Sequence, residues 1–270
     1  MKRPLVMGIL NVTPDSFSDG GRYRSVEAAV ARAWAMAADG ADWLDIGGES
    51  TRPGAAAVSE AEEIDRVIPA IEAVRAATAV PISIDTMKPA VAHAAIGAGA
   101  TMWNDVTGLS GSPDSLGVCA ELGCDVVLMH MQGEPRNMQA QPRYDDVVAE
   151  VIAALSGRAA AAMAAGVARD KIWFDPGIGF GKTPAHNLAL IAALDQFTAL
   201  GFPVLVGVSR KGFIGAIDPL AKTPGDRLGG SIALALAAAR AGAAMVRVHD
   251  VRETVQALTV AAAIDETGRG

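Results

Sequence analysis

The sequence predicts an α/β fold, a single-domain (β/α)8 barrel of the TIM type with its site at the C-terminal ends of the strands. Three observations predict it. The chain has 270 residues, a length at which α/β barrels are normally one domain. One unit recurs along it: an Ala-rich helical stretch, a glycine, a short apolar run and then a polar residue. The apolar runs are continuous rather than alternating, as strands buried on both faces of a parallel sheet read. No composition shift or Pro/Ser-rich linker divides the chain, so residues 1–270 read as one domain.

Taken in order, Leu5 to Leu10 is the first strand. The stretch from Ala37 to Ile46 holds the second, after Gly40. A helix from Ser59 opens with a capping box, Ser59 with Glu62, and leads to the third strand, Pro81-Ile-Ser-Ile-Asp85. The unit then repeats over Ile96–Asp105, Glu121–His130, Ala165–Asp175 and Leu200–Gly207, giving strands four to seven. An Ala-rich helix from Asp226 to Ala241 precedes the eighth strand, within Arg240–His249, and a last helix starts at Val251. The glycines suit left-handed helix C-caps, and the apolar runs are too short for helices. Eight strands, each followed by a helical segment, favour a closed barrel over an open doubly wound sheet.

Hydrophobic residues make up 51% of the chain, enough for a sizeable core, and alanine supplies much of it, which favours helices packed closely on a sheet. The net charge of -7 argues against nucleic acid or an anionic membrane as a partner. An anionic substrate stays open, because local basic groups overrule the average. Cys119 and Cys124 share one helix-to-strand segment with no His or Cys at metal-ligand spacing. Both read as reduced, structural cysteines of a cytoplasmic protein. Met1-Lys-Arg-Pro runs directly into a strand, leaving no room for a signal peptide, and no apolar run reads as long enough to span a bilayer.

In such barrels the strand ends form the site. Read in order, they carry Asn11, Asp45, Asp85, Asn104, Met129-His130, Asp175, Ser209-Arg210-Lys211 and Arg247-Val-His249. Any one of these could simply cap the next helix. That explanation does not extend to the whole set, because Lys211 and Arg247 are poor N-caps. Asp85, Asn104 and Asp175 suit a flat heterocycle bearing amino and ring N–H donors. Lys211 could donate to a ring carbonyl or nitrogen, and Arg247, His249 and Asn11 could bind a phosphate or pyrophosphate. No Cys or His cluster supports zinc, and Gly207-Val-Ser-Arg-Lys211 is not a nucleophile elbow. A Schiff-base role for Lys211 is conceivable, but Arg210 beside it and the anionic pocket explain it better. His93 and His186 read as surface residues, and His130 receives no role.

The stretch Asp175-Pro-Gly-Ile-Gly-Phe-Gly-Lys182 invites two nucleotide motifs and satisfies neither. A phosphate loop would need glycine at Pro176, and a dinucleotide loop would need it at Lys182. Three further segments read as lids over the mouth: Asn11 to Gly21 with the aromatic Phe17, Gly47 to Gly54 with Arg52, and the polar run from Met129 to Tyr144.

These stretches together resemble the bacterial dihydropteroate synthases. The matching runs are Gly8 to Gly20, Asp45 to Gly54, Ile82 to Thr86, Trp103 to Asp105, Leu128 to Met131, Asp175 to Lys182, Ser209 to Lys211 and Arg247 to Asp250. They lie in order and span almost the whole chain. The resemblance implies condensation of 6-hydroxymethyl-7,8-dihydropterin pyrophosphate with p-aminobenzoate, giving 7,8-dihydropteroate and pyrophosphate. It implies a pterin site of Asp85, Asn104, Asp175 and Lys211, with Val106 and Met129 as walls and Arg247 packing on the ring. Asn11, Arg247 and His249 would hold the pyrophosphate with Mg2+, Asn11 being the metal ligand, and Thr51 and Arg52 would close over it. Phe17, Pro53 and Phe180 would form the p-aminobenzoate slot, with Lys211 and Gly212 meeting that substrate's carboxylate. Many members carry a hydroxyl residue where Gly212 stands, so the backbone N–H is left as donor there. Sulfonamides are the expected inhibitors and a homodimer the expected assembly, through the helices at Asp226–Ala241 and from Val251.

Asp85, Lys211, Arg247 and His249 are the expected catalytic residues. Pyrophosphate leaves easily once its charge is neutralised, and the electron-rich dihydropterin can carry a cation at its exocyclic methylene. The expected mechanism is therefore an SN1-like displacement. Two readings compete with it. The methyltetrahydrofolate–corrinoid methyltransferases share the pterin barrel but do not need Arg247 with His249. A pterin-binding paralogue without turnover would bind the ester and form no product.

Overall fold

The structure, a computed structural model, describes residues 2–12, 21–50, 57–134 and 137–267, with backbone alone over 21–25. Eight strands alternate with helices. The strands are β1 (Leu5–Asn11), β2 (Trp43–Gly47), β3 (Ile82–Asp85), β4 (Met102–Asp105), β5 (Asp125–Met129), β6 (Ile172–Asp175), β7 (Leu205–Gly207) and β8 (Met245–Val248). The helices are α1 (Gly21–Ala38), α2 (Glu60–Ala77), α3 (Pro89–Gly97), α4 (Ser115–Leu122), α5 (Val147–Ala164), α6 (Pro184–Ala192), α7 (Leu194–Thr198), α8 (Gly212–Ile217), α9 (Leu228–Arg240) and α10 (Val251–Thr267).

Every strand pair is parallel, in the order β6-β5-β4-β3-β2-β1-β8-β7. The two ends of this ladder meet at one bridge, Phe174 with Val204, where the Phe174 N–H donates to Pro203 O at 2.9 Å. That contact turns the sheet into a nearly closed barrel.

Side-chain alternation explains where the polar groups lie. Met7, Met102, Val127, Leu205 and Met245 form an apolar plug separate from the main core, with Trp43 and Trp173 packed against it. Two residues further along a strand returns to the same face. Those positions are Ile9, Asp45, Asn104, Met129, Asp175, Gly207 and Arg247. The barrel interior is thus apolar at its base and polar at its mouth. The opposite strand faces, such as Leu44, Ile46, Ile84, Trp103 and Phe174, are fully buried beneath the helices.

Helix boundaries follow local chemistry. Ser59 caps α2 by accepting the Glu62 N–H at 3.3 Å. The expected capping box is only half made, because the Glu62 carboxylate pairs with Arg66 at 2.5 Å instead. Gly123, at φ 59°, ends α4 in the left-handed conformation. α9 begins at Leu228 rather than Asp226, because Pro224–Arg227 forms a 3-10 turn capped by Thr223 and Asp226.

One expectation needs correction. α5, with a mean hydropathy of 1.6 over 18 residues, is long and apolar enough to cross a membrane by length and composition. Eight of its 18 residues are alanine. Val147, Val151, Leu155, Ala159 and Ala162 form a buried stripe along it. From the same helix Arg158 donates to the carbonyls of Gly108 and Leu109, both at 2.6 Å.

Candidate active site

The mouth is organised around a guanidinium between two carboxylates. Arg247, on β8, donates from Nε to Asp45 Oδ2 at 2.5 Å and from one Nη to Asp85 Oδ2 at 2.6 Å. Asn104 also donates to Asp45 Oδ2, at 3.1 Å. The remaining oxygens, Asp45 Oδ1 and Asp85 Oδ1, are buried with no hydrogen-bond partner among the described residues. Leaving a buried acceptor unpaired costs about 1–3 kcal/mol. Burial drives the Asp85 pKa up to about 7, against the pull of Arg247 and with a push from Asp45. Burial works against the Arg247 charge too, but Asp45 and Asp85 outweigh it and raise its pKa. Asp45, whose role the sequence left open, is therefore the second clamp on Arg247.

Across the mouth stands Asp175. Its Oδ1 accepts the Gly177 N–H at 2.7 Å, so the carboxylate turns the following loop with one oxygen. The loop's glycines have φ 69°, 87° and 61° at Gly177, Gly179 and Gly181. A Cβ on Gly177 would collide with the His130 carbonyl oxygen, and one on Gly181 with that of Gln132. The glycines thus serve a close backbone approach and not a phosphate. The loop carries Phe180 to within 4.8 Å, ring centroid to Nζ, of Lys211. Burial raises the Asp175 pKa, with the Gly177 N–H and Lys211 opposing. Burial also brings Lys211 down to about 8, with Asp175 opposing.

These groups line one pocket that opens to solvent at the barrel mouth. Its lining brings together Asp85, Asn104, Val106, Met129, Asp175, Lys211 and Arg247, the seven residues expected to meet one ring. Phe180 joins them from the other expected slot, and Ile178 and Gly207 complete the wall.

Lys211 and His249 are set by the turn after β7. Arg210 has φ 56°, the left-handed region that a side chain rarely occupies. It is held there by the Ser231 hydroxyl on its N–H at 2.8 Å and by Asp250 on its Nε and Nη, at 3.0 and 2.5 Å. Arg210 therefore faces Asp250 and not the cavity, so it is not the neighbour that explains Lys211. The turn also brings the Ser209 hydroxyl to His249, 3.1 Å from its N–H and 3.0 Å from Nδ1.

The remaining expected residues divide. Asn11 is half-buried at the end of β1, in register with Gly47. Gly212 is exposed at the first turn of α8, with nothing within 4 Å of an added Cβ. Phe17, Thr51, Arg52 and Pro53 lie outside the described residues, as do most of the first two loops. The described part of the third loop is tied to the glycine loop: Gln139 donates to Gly179 O at 2.6 Å and Tyr144 to Gly181 O at 2.9 Å. His93 is exposed as expected, whereas His186 is half-buried, caps α6 with Thr183 and meets Tyr144 edge-on at 5.0 Å. His130 and Lys182 form a contact that sequence reasoning missed, Nζ lying 3.1 Å from Nδ1. The only sequence signal was a lysine closing a glycine loop.

Known proteins share this fold. The model of the family described as pterin binding enzyme matches residues 7–249. Dihydropteroate synthase of Escherichia coli is 50% identical over 260 residues, covering 96% of this chain and 91% of that one. The Xanthomonas albilineans dihydropteroate synthase solved with 4-aminobenzoic acid is 53% identical, with a TM-score of 0.92 over 98% of this chain and 94% of that one. A second structure of it, with 7,8-dihydropteroate, gives 50% identity and a TM-score of 0.89, with the same coverage. The Yersinia pestis enzyme solved with a sulfonamide drug is 47% identical, with a TM-score of 0.92 over 98% and 95% of the two chains.

Proposed function

The chain belongs to the pterin-binding enzyme family, among its dihydropteroate synthases, and from that premise we infer how its barrel mouth works. The reaction is the transfer step of folate biosynthesis: 6-hydroxymethyl-7,8-dihydropterin pyrophosphate and p-aminobenzoate give 7,8-dihydropteroate and pyrophosphate. The convergence of Asp85, Asn104, Asp175, Lys211 and Arg247 on one cavity is the observation that carries the assignment of roles.

Asp175 and Asp85 accept the amino and ring N–H groups of the pterin, and the unpaired Asp85 Oδ1 supports this reading. Asn104 and Lys211 donate to its carbonyl and ring nitrogens, while Val106 and Met129 flank its faces. Arg247 packs on the ring and, with two of its donors committed to Asp45 and Asp85, offers its remaining Nη to the pyrophosphate beside His249. Thr51 and Arg52 close over that end. Phe17, Pro53 and Phe180 enclose the p-aminobenzoate ring. Lys211 and the Gly212 N–H take its carboxylate, and a sulfonamide occupies the same slot.

The bond from the exocyclic methylene to the pyrophosphate oxygen breaks first, and the aromatic amine then forms the C–N bond and loses a proton. Asp85 favours the intermediate cation electrostatically, and the closed lids exclude competing water. No enzyme nucleophile is needed.

Mg2+ fits the donor set. No group of three or more His, Cys, Asp or Glu side chains surrounds a metal position among the described residues. Mg2+ characteristically takes few protein ligands and several substrate oxygens, and Asn11 supplies one amide oxygen at the phosphate end. When bound, the ion would neutralise the charge developing on the pyrophosphate.

The chain acts as one pterin-binding domain over residues 1–270, a reading supported by the eight-stranded sheet. Homodimerisation is supported by the exposed apolar side chains Ile217, Leu220, Val260 and Ile264 on α8, α10 and the α8–α9 turn. A cytoplasmic setting is supported by the free, buried Cys119 and Cys124. The test of the chemistry is incubation with both substrates and Mg2+, assayed for dihydropteroate. Isotope exchange of pyrophosphate without p-aminobenzoate tests the order of bond changes. Pyrophosphate that never leaves before the amine arrives sinks the stepwise form.

A further inference from the structure

We propose that Lys182 is a positioning residue for the amine substrate, tying the end of β5 to the glycine loop after β6 and so setting Phe180 over Lys211. The inference rests on the assignment of Phe180 to the p-aminobenzoate slot.

Lys182 is 2% exposed, and no carboxylate lies in hydrogen-bonding contact with it among the described residues. Its Nζ lies 3.0 Å from Phe180 O, 3.1 Å from His130 O and 3.1 Å from His130 Nδ1. An ammonium has three donors and no acceptor, so these three acceptors use it completely. The arrangement needs a bare Nδ1 on His130. Burial, reinforced by the Lys182 charge, drives that ring's pKa down to about 3, which keeps it neutral.

Burying a cation without a counter-charge in contact is unfavourable, and burial brings Lys182 itself down to about 7 while Asp175 opposes. An apolar side chain of similar length would fill the space without that cost. The three bonds, and not the packing, are what the lysine adds. Other ties join the same two segments, from Gln139 to Gly179 O, Tyr144 to Gly181 O and the His130 N–H to Asp175 O. Among the described bonds, only that of Lys182 ends on the Phe180 carbonyl. It therefore fixes the residue whose ring faces Lys211 in the cavity wall.

Wild type, Lys182→Met and Phe180→Ala are compared in steady state with each substrate varied, beside direct binding of the pterin pyrophosphate and thermal denaturation. Lys182→Met is expected to bind the pterin pyrophosphate within about threefold of wild type while its KM for p-aminobenzoate rises about tenfold or more, as in Phe180→Ala. A merely structural lysine would lower pterin affinity in step, and that outcome overturns the inference. So does an unchanged KM for p-aminobenzoate when Phe180→Ala raises it. If neither variant changes KM, the slot assignment of Phe180 falls and the inference with it. A wild type that makes no dihydropteroate overturns the reaction itself, which is a separate result. Should Lys182→Met not fold, Lys182→Leu, which likewise lacks a donor to the Phe180 carbonyl, is judged by the same split.

Discussion

Asp85 accepts a hydrogen bond from Arg247 at 2.6 Å through Oδ2, while its Oδ1 stays buried with no partner among the described residues. One oxygen is anchored by the protein and the other is left for something that enters.

Arg247→Ala removes the clamp from both Asp45 and Asp85. Stranding two buried carboxylates is expected to destabilise the fold by about 3 kcal/mol, near the lower end for broken buried pairs because the arginine is partly exposed. Chemical denaturation measures this. Use of the pyrophosphate ester should fall further than the stability loss explains, as kcat/KM on folded enzyme will show.

Asp85 also sets a pH dependence. Its pKa rises from an ordinary 3.8 to about 7 on folding, so the folded state holds this proton more tightly than the unfolded chain does. Between about pH 4 and 7 the unfolded carboxyl is ionised first, and stability falls as pH rises through that window. Asp85→Asn is expected to flatten this slope while weakening pterin binding. An unchanged slope in pH-dependent denaturation would remove Asp85 as its source.

Asp175→Asn keeps a carbonyl oxygen for the Gly177 N–H but turns an N–H toward the pterin's own donors. The mismatch is expected to cost roughly 2 kcal/mol of binding, about thirtyfold in Kd. Titration calorimetry with the pterin measures it, and unchanged affinity would remove Asp175 from that role.

Two glycines should respond oppositely. Gly177→Ala forces a Cβ into the His130 carbonyl at a left-handed φ of 69°, and is expected to cost about 3 kcal/mol or more, since strain and clash add. Gly212→Ser meets nothing within 4 Å. It should leave the melting temperature unchanged and lower the KM for p-aminobenzoate by offering a hydroxyl to its carboxylate.

The barrel was legible because one short unit recurs along the chain, an Ala-rich stretch, a glycine, a continuous apolar run and a polar residue, as in Ile96–Asp105 and Arg240–His249. The contacts between strands were not. Asp45 and Arg247 are 202 residues apart, and their meeting depends on the last strand pairing beside β1, opposite β2, which no local pattern encodes. Lys182 was hidden for a different reason. A lysine ending a glycine loop looks like a phosphate ligand, and only its burial against His130 reveals another use. The left-handed Arg210 likewise depends on Ser231 and Asp250, residues far along the chain that hold it there.

The single bridge between Phe174 and Val204 makes the ring a ladder whose two ends touch. Those ends carry Asp175 on one bank and, just past the other, Lys211. A ligand held by both spans the joint like a staple. A pterin held by both would thus also close the barrel mechanically, and slowing of deuterium uptake at the Phe174 amide on pterin binding would report it. The enzyme would be stiffest when loaded and would breathe along this one line when empty.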